Sequence, residues 1–253
     1  MLITVLGSGT SYGVPTINCN CPVCLSNDSH DKRTRASIWI KTNNTSVIID
    51  TATDFRTQAL REKIPNIDAL LVTHCHADHI HGLDDIRPYS FEKPIPVYGN
   101  KWTIKEIHSR FSYIFQATQK GGGKPQIQLN TINNENQNSI ITIGDLNFIP
   151  IPLKHGKLDV LGYRVGNFAY LTDCNKIPEE SYELLKGIKY LIIDALRYRQ
   201  HPTHFSFAEA MEESKKIGAE KTWFTHLCHD ALHKKLEQEL PYGFYPAFDG
   251  LKI

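Results

Sequence analysis

The chain has 253 residues, of which 41% are hydrophobic and 22% are charged, as is usual for a globular protein that buries a core. Its formal net charge of +1 argues against polyanion binding as the main role of the surface, because a nucleic-acid track usually leaves a basic excess. No apolar stretch reaches the roughly 18 residues that span a bilayer, and the first six residues lack the features of a signal peptide. We therefore expect a cytoplasmic protein without a membrane partner.

Short β-branched or aromatic runs bounded by turn residues predict strands along the whole chain. They cover residues 2–6, 37–41, 47–49, 69–72, 168–171, 190–193 and 223–225. Helical patterns lie between some of them. Ser206 and Glu209 form a capping-box pattern at the start of one helix, and Gly218 lies near its end. Pro178 and Gly187 mark the start and the end of another helix. Interleaved strands and helices predict an α/β or α+β fold.

A weak internal similarity suggests two related halves. A strand leading to Asp50 is followed by a helical stretch and a buried strand, and a strand leading to Asp173 is followed by a helix and a strand leading to Asp194. Two such halves favour a duplicated sandwich. The segment from Lys120 to Asn138 is rich in Gly, Asn and Gln, and is predicted to be a mobile loop or a hairpin tip. No linker divides the chain, so we predict one domain over residues 1–253.

The run His74-Cys75-His76-Ala77-Asp78-His79 follows the buried strand at 69–72. Alternate residues of an extended chain point the same way, so His74 and His76 can approach one metal ion together. Asp78 and His79 come where the chain turns and can reach a second ion. Two ions about 3.5–4 Å apart lower the pKa of a shared water. The run therefore predicts a metal-dependent hydrolase, and the alternative is a histidine-rich surface turn.

Three cysteines, Cys19, Cys21 and Cys24, lie within six residues. A reducing compartment disfavours disulfides, so this spacing favours one structural zinc ion held by three thiolates and a fourth ligand. We predict His229 as the fourth ligand, with Cys228 as the alternative. Three free cysteines in a loop are the other interpretation.

The His-x-His-x-Asp-His pattern after a hydrophobic strand resembles the metallo-β-lactamase superfamily. The resemblance implies a four-layered αββα sandwich and three further ligands at later strand ends: His155, Asp173 and His226. It implies one ion at His74, His76 and His155, a second at Asp78, His79 and His226, and Asp173 as the bridge. A bridging aspartate resembles the phosphodiesterase side of the superfamily more than the antibiotic-cleaving side.

A narrower resemblance covers nearly the whole chain. Residues 7–11 and 13–15, the cysteine cluster at 19–24 and His226-Leu227-Cys228-His229 resemble the phosphoribosyl cyclic phosphodiesterases of phosphonate breakdown. The resemblance implies that a water activated by two metals opens a small cyclic phosphodiester. It also implies that His204 assists the leaving oxygen, and we count Asp78 with it among the catalytic residues. His201 competes for that role, and His204 could instead brace the following helix.

Three other functions stay open. One is an RNA-processing nuclease of the tRNA-maturing type, although the net charge gives nucleic acid little support. The others are a thioester or lactone hydrolase on the same fold and a non-catalytic metal-binding module. Manganese, zinc and iron all suit the predicted catalytic ligands, whereas three thiolates favour zinc. Relatives commonly pair, which leaves a homodimer open. Asp50 and Asp194 are predicted to orient imidazoles, and candidates to contact a phosphate are Arg87, Lys154 and Arg197.

Overall fold

The computed structural model describes residues 1–117, 123–133 and 139–253. Thirteen strands of this part form two mixed sheets. The six-stranded sheet has the order β1-β2-β3-β4-β5-β6. Its strands are β1 (Leu2–Gly7), β2 (Ser37–Lys41), β3 (Ser46–Ile49), β4 (Ala69–Leu71), β5 (Ile95–Asn100) and β6 (Ile127–Ile132). β1 to β3 are antiparallel neighbours, and β3 to β6 are parallel.

The seven-stranded sheet has the order β13-β12-β11-β10-β9-β8-β7. Its strands are β7 (Ile141–Ile143), β8 (Leu146–His155), β9 (Leu158–Val165), β10 (Phe168–Leu171), β11 (Tyr190–Asp194), β12 (Lys221–Thr225) and β13 (Phe244–Pro246). β7 to β10 are antiparallel neighbours, and β10 to β13 are parallel. The carboxyl ends of β8, β10, β11 and β12 consequently meet at one edge of the sheet.

Seven α-helices lie in the described part of the chain. They are α1 (Phe55–Glu62), α2 (Ala77–Ile80), α3 (Lys101–Arg110), α4 (Ser112–Phe115), α5 (Glu179–Leu185), α6 (Phe207–Ile217) and α7 (His233–Glu239). Two 3₁₀ helices span Ser29–Asp31 and Leu83–Ser90. None of the helices in these described ranges is long and apolar enough to cross a lipid bilayer.

Buried side chains form three large apolar layers. The central layer lies between the sheets and contains residues of both, such as Ile38, Phe148 and Tyr170. A second layer packs α1 and α3 against the six-stranded sheet, with Phe55 among its members. A third packs α5, α6 and α7 against the other sheet, with Phe207 among its members. The order helix, sheet, sheet, helix confirms the predicted αββα sandwich.

The internal similarity corresponds to two strand–helix–strand units. β3, α1 and β4 form one unit, β10, α5 and β11 form the other, and each pair of strands is parallel. Asp50 and Asp173 follow the first strand of each unit with left-handed backbone, at φ 64° and 51°. This conformation is uncommon outside glycine. Both aspartates lie just beyond the carboxyl end of a strand, where the chain leaves its sheet.

Two local helix predictions are confirmed. The capping box of Ser206 and Glu209 begins α6, and Gly218 ends it with left-handed backbone. Pro178 caps α5 rather than occupying its first turn. The loop prediction at 120–138 is wrong for β6, because residues 127–132 pair in parallel with β5. Residues 120–122 and 134–138 of that prediction lie outside the described residues.

Candidate metal centre

The histidine run lies where β4 ends, beside the carboxyl ends of the second sheet. Within it, only Ala77–Ile80 is helical, so His74 and His76 lie in the loop that leads into α2. His155 is the last residue of β8, and Asp173 and His226 closely follow β10 and β12. The structure therefore brings all seven predicted active-site ligands to one edge of the sandwich.

Four residues form what we call the first cluster: His74, His76, His155 and Asp173. Their candidate ligand atoms all lie within 4.8 Å of one another. His74 Nε2 lies 2.9 Å from His76 Nδ1 and 3.7 Å from Asp173 Oδ2. His76 is the exposed member, whereas the other three are buried. The first cluster thus opens to solvent on the side of His76.

Four residues form the second cluster: Asp78, His79, His226 and Asp173, which belongs to both. Their candidate ligand atoms also lie within 4.8 Å of one another. His79 Nε2 is 3.2 Å from both Asp78 Oδ2 and Asp173 Oδ2, while His226 Nε2 is 3.1 Å from Asp173 Oδ1. The carboxylate of Asp173 therefore faces both clusters, as a bridging ligand would.

A buried aspartate, Asp50, contacts His79 of the second cluster at the ring nitrogen that does not face the cluster. Asp50 is fully buried, and its Oδ2 lies 2.7 Å from His79 Nδ1. The backbone N–H and the hydroxyl of Thr73 both donate to Asp50 at 2.8 Å, which fixes the carboxylate. Such a partner directs the opposite ring nitrogen of a histidine towards a metal. The predicted orienting role of Asp50 agrees with this geometry. No sequence pattern indicates that Thr73 holds the Asp50 carboxylate in place.

The donor set fits divalent cations. His79 Nε2 and both ring nitrogens of His226 are buried, and within the described ranges none has a hydrogen-bond partner. An orphaned buried polar atom is costly. Here the orphaned Nε2 atoms face carboxylate oxygens in geometry that suits a shared cation better than a hydrogen bond. Imidazole nitrogen and carboxylate oxygen are ligands of zinc and similar metals.

Burial adjusts the protonation of the first cluster. It lowers the pKa of His76 and His155 below 6.5, and that of His74 well below 6.5, with nearby positive charge on His79 adding to the effect at His74. In the second cluster, burial raises the pKa of Asp78, but the adjacent His79 outweighs it and the net shift is downward. The shifts at His74, His76 and His155 favour neutral imidazoles, and the shift at Asp78 favours an ionised carboxylate; these are the forms that bind metal.

His204 lies between the clusters and a second buried aspartate. Its ring stacks on His226 with centroids 4.6 Å apart and meets His155 edge-on at 4.7 Å. Its Nδ1 is 3.1 Å from Asp194 Oδ2. Burial lowers the pKa of His204, but the charge of Asp194 outweighs it and raises the pKa to about 9. His201, the competing candidate, lies beyond His204 with ring centroids 5.1 Å apart.

The cysteine cluster forms a separate group, which we call the cysteine site. His229 Nδ1 lies 3.2, 3.5 and 3.4 Å from the Sγ atoms of Cys19, Cys21 and Cys24. Burial raises the pKa of the Cys21 thiol, but hydrogen bonds from Cys24 and the neighbouring groups lower it to about 7. Cys228 lies outside the group, and burial raises its pKa to about 11. Of the two candidates for fourth ligand, the structure brings His229 to the three thiols.

The three cationic candidates for phosphate binding are already engaged. Arg87 pairs with Asp84, and Lys154 pairs with Asp159. Arg197 donates to the backbone carbonyls of residues 199 and 200 at 3.3 and 3.1 Å. Arg197 therefore supports the loop that carries His201 and His204.

Two supporting interactions have no signal in the sequence. The backbone carbonyl of Thr203 lies 2.8 Å from His155 Nδ1, which leaves Nε2 of that ring for the first cluster. Arg110, at the end of α3, donates to the carbonyl of Cys75 at 2.7 Å, between His74 and His76. Both join parts of the chain that are distant in sequence, so no local pattern could have predicted them.

Comparison with known proteins identifies the family to which the chain belongs. Residues 45–227 match the family described as the β-lactamase superfamily domain. An octanoyltransferase of Porphyromonas gingivalis is 38% identical over 255 residues, which cover 100% of this chain but 51% of that protein. The chain thus spans about half the length of this curated relative.

Two solved structures share the fold over the whole chain. A diphosphatase from the PhnP family is 44% identical with a TM-score of 0.92, covering 100% of this chain and 96% of that one. Zn²⁺-bound PqqB from Methylobacterium extorquens is 17% identical with a TM-score of 0.81, covering 100% and 99%. The chain therefore belongs to the metallo-β-lactamase superfamily, as the histidine run predicts.

Proposed function

We propose that the protein hydrolyses a small phosphodiester, of which a five-membered cyclic phosphate on ribose is the first candidate. The observation that carries the proposal is the shared carboxylate of Asp173 between two clusters, with His204 beside both. Two metal positions and one adjacent acid match what the displacement of an alkoxide from phosphorus requires.

Two divalent cations (manganese, zinc or iron) would bind the first and second clusters, where they would activate water and neutralise phosphate oxygens. The chain's own residues then position the reaction. His74, His76 and His155 would hold one cation, Asp78, His79 and His226 the other, and Asp173 both. Asp50 and Thr203 keep the ring nitrogens of His79 and His155 in place. A zinc ion would occupy the cysteine site, and the reducing conditions expected for a cytoplasmic protein would keep its thiols available as ligands.

His204 would act as the general acid. Its Nδ1 lies against Asp194, so Nε2 is the nitrogen that can protonate the leaving ribose oxygen. An alkoxide is a poor leaving group, and a positioned acid typically contributes about 10²–10⁴-fold to its departure. A nitrophenolate needs no such proton, so substrates with the two leaving groups separate the role of His204 from metal activation.

The PhnP-family relative supports hydrolysis at phosphorus. Two substrate types are then candidates, a diphosphate and a cyclic phosphodiester. That relative is a diphosphatase, whereas the motifs resemble cyclic phosphodiesterases. Both reactions break a P–O bond with water, so the same two clusters and His204 serve either. Ribose 1,2-cyclic phosphate and a nucleoside diphosphate compared at equal concentration would decide which type is preferred.

A second candidate is hydrolysis of an acyl thioester, which the octanoyltransferase relative favours. The chain matches about half of that protein, so this candidate requires that the matched half is the one that acts on the acyl group. Octanoyl thioester therefore belongs in the same assay. Chelator-sensitive cleavage of octanoyl thioester alone would replace the phosphodiesterase by an acyl hydrolase.

The test is a hydrolysis panel on metal-loaded protein. It contains ribose 1,2-cyclic phosphate, 2′,3′-cyclic nucleotides, bis-p-nitrophenyl phosphate, a nucleoside diphosphate, octanoyl thioester, a lactone and a tRNA precursor. We expect chelator-sensitive cleavage of the cyclic phosphates. The matched control is Asp173→Asn, which keeps the size of the bridging side chain and removes its charge. Cleavage that persists in this variant or in excess chelator would contradict the proposal.

A further inference from the structure

His201 lies next to the proposed acid but has no role in holding metal. The side chain is half-buried, and its ring centroid is 5.1 Å from that of His204. His204 also contacts the rings of His155 and His226, whereas His201, among the described residues, has its recorded ring contact with His204 alone. Among the described residues, His201 therefore flanks His204 and makes no ring contact with the histidines of either cluster.

The hydrogen bonds of His201 set its tautomer. Its Nδ1 accepts from the backbone N–H of Thr203 at 3.3 Å and lies 3.2 Å from the Thr203 hydroxyl. A backbone N–H can only donate, so Nδ1 is an acceptor and the proton of the neutral ring is on Nε2. Burial lowers the pKa of His201, and the charges of His204 and Arg197 lower it further. The ring is therefore a neutral Nε2–H donor, and within the described ranges no hydrogen bond takes up this atom.

The loop that carries His201 is held from three sides. Arg197 donates to the carbonyls of residues 199 and 200, and Asn175 Nδ2 donates to the Pro202 carbonyl at 2.9 Å. The carbonyl of Thr203 bonds to His155. A donor that is already fixed in position loses little entropy when it binds a substrate.

We propose that His201 is a specificity-determining residue, whose Nε2–H donates to a hydroxyl or ether oxygen of the leaving group. This inference rests on the proposed function, because it places the leaving group beside His204. The cationic alternatives near the site do not compete, since Arg197 and Lys154 are already engaged by protein groups. Substrates with polar leaving groups would thus be selected over apolar ones.

The test compares His201→Ala and His201→Gln on two substrates. We expect the alanine variant to lose roughly tenfold in kcat/KM on ribose 1,2-cyclic phosphate, the effect of one hydrogen bond, and to keep its rate on bis-p-nitrophenyl phosphate. Glutamine places an N–H near the position of Nε2, so this variant should recover most of the loss. Metal content and the pH profile should be those of the wild type.

Other outcomes overturn the proposal. Equal losses on both substrates, or a shifted pH profile, would mean that His201 acts through His204. Unchanged rates on both would remove His201 from recognition. The tautomer is measured separately by ¹⁵N NMR of the histidines, and a proton on Nδ1 would overturn the role of His201 whatever the activity. Wild-type protein with the expected tautomer that cleaves neither substrate would instead refute the proposed function, and with it the role that rests on it.

Discussion

Replacing Asp194 by asparagine should lower the fraction of His204 that is protonated, and so able to act as the acid, at alkaline pH. Asp194 is fully buried, and its Oδ2 lies 3.1 Å from His204 Nδ1. The same oxygen accepts from the backbone N–H groups of Cys174 at 3.3 Å and Phe205 at 3.2 Å. Asparagine has the same shape and a carbonyl oxygen for these donors. The substitution therefore removes the charge while leaving the local packing in place.

The expected size of the effect follows from the pKa of His204. Burial lowers this pKa, and the charge of Asp194 is the largest factor that raises it, to about 9. Without that charge the pKa should return to about 6.5 or below. At pH 8 the protonated fraction then falls from about 0.9 to about 0.03, a loss of about 30-fold in available acid. Bound cations lower both pKa values, so the difference between the two proteins is the quantity to compare.

The assay is the pH dependence of kcat/KM on ribose 1,2-cyclic phosphate for wild-type protein and Asp194→Asn. Because the acid form is lost as pH rises through its pKa, the alkaline limb should move to lower pH in the variant. Both proteins should have similar rates at pH 5.5. The rate on bis-p-nitrophenyl phosphate, which needs no acid, is the internal control. Superimposable profiles at equal metal content would refute the reasoning.

Three further predictions concern stability and metal binding. Cys21→Ser should lose one equivalent of zinc and about 3 kcal/mol or more of stability, measured by metal analysis and urea unfolding, whereas Cys228→Ser should keep its zinc. Burial, together with the charges of His30 and Arg33, lowers the pKa of His233 to about 4. Since the unfolded chain takes up a proton near pH 6.5 and the folded ring does not, stability should be complete above about pH 6.5 and fall by about 2–3 kcal/mol towards pH 4. Arg110→Met should weaken metal binding at the first cluster by about tenfold in a competition titration, through the lost bond to the carbonyl of Cys75.

Each of these has an outcome that would contradict it. Loss of zinc from Cys228→Ser with retention in His229→Ala would exchange the two residues as fourth ligand. His233→Gln carries no titrating ring, so an acid-induced loss of stability equal to that of the wild type would exclude His233 as its source. For Arg110, Glu106→Gln is the matched control, because Glu106 pairs with the guanidinium but does not touch the carbonyl of Cys75. An equal loss of affinity in both variants would assign the effect to helix α3 as a whole.

Local sequence patterns predict the features that depend on neighbouring residues. The strand at residues 37–41 is observed with the predicted bounds. Its β-branched and aromatic residues are typical of a buried strand, so the local sequence is enough to predict it. The capping box of α6 is likewise local. The histidine run could be interpreted directly, because His74, His76, Asp78 and His79 lie within six residues.

Local sequence patterns do not predict features that depend on contacts between residues far apart in the chain. β6 is an edge strand with several polar residues, and its parallel pairing with β5 stabilises a segment that resembles a loop. Local patterns also miss β5, β7, β8, β9 and β13, because these strands are short or are interrupted by proline or glycine. Family resemblance and order along the chain predicted His155, Asp173 and His226 as metal ligands. Only the folding of the two sheets brings these residues close to the histidine run.

The choice of His229 over Cys228 shows the same division. Adjacent residues look equivalent in the sequence, and both follow a strand that ends at the centre. In the folded chain, His229 meets the three thiols, while the backbone N–H of Cys228 bonds to the carbonyl of Leu196. The sequence by itself determined the types of ligand and their order. The tertiary structure decided which of them converge, because convergence depends on the directions of backbone segments that are far apart in the chain.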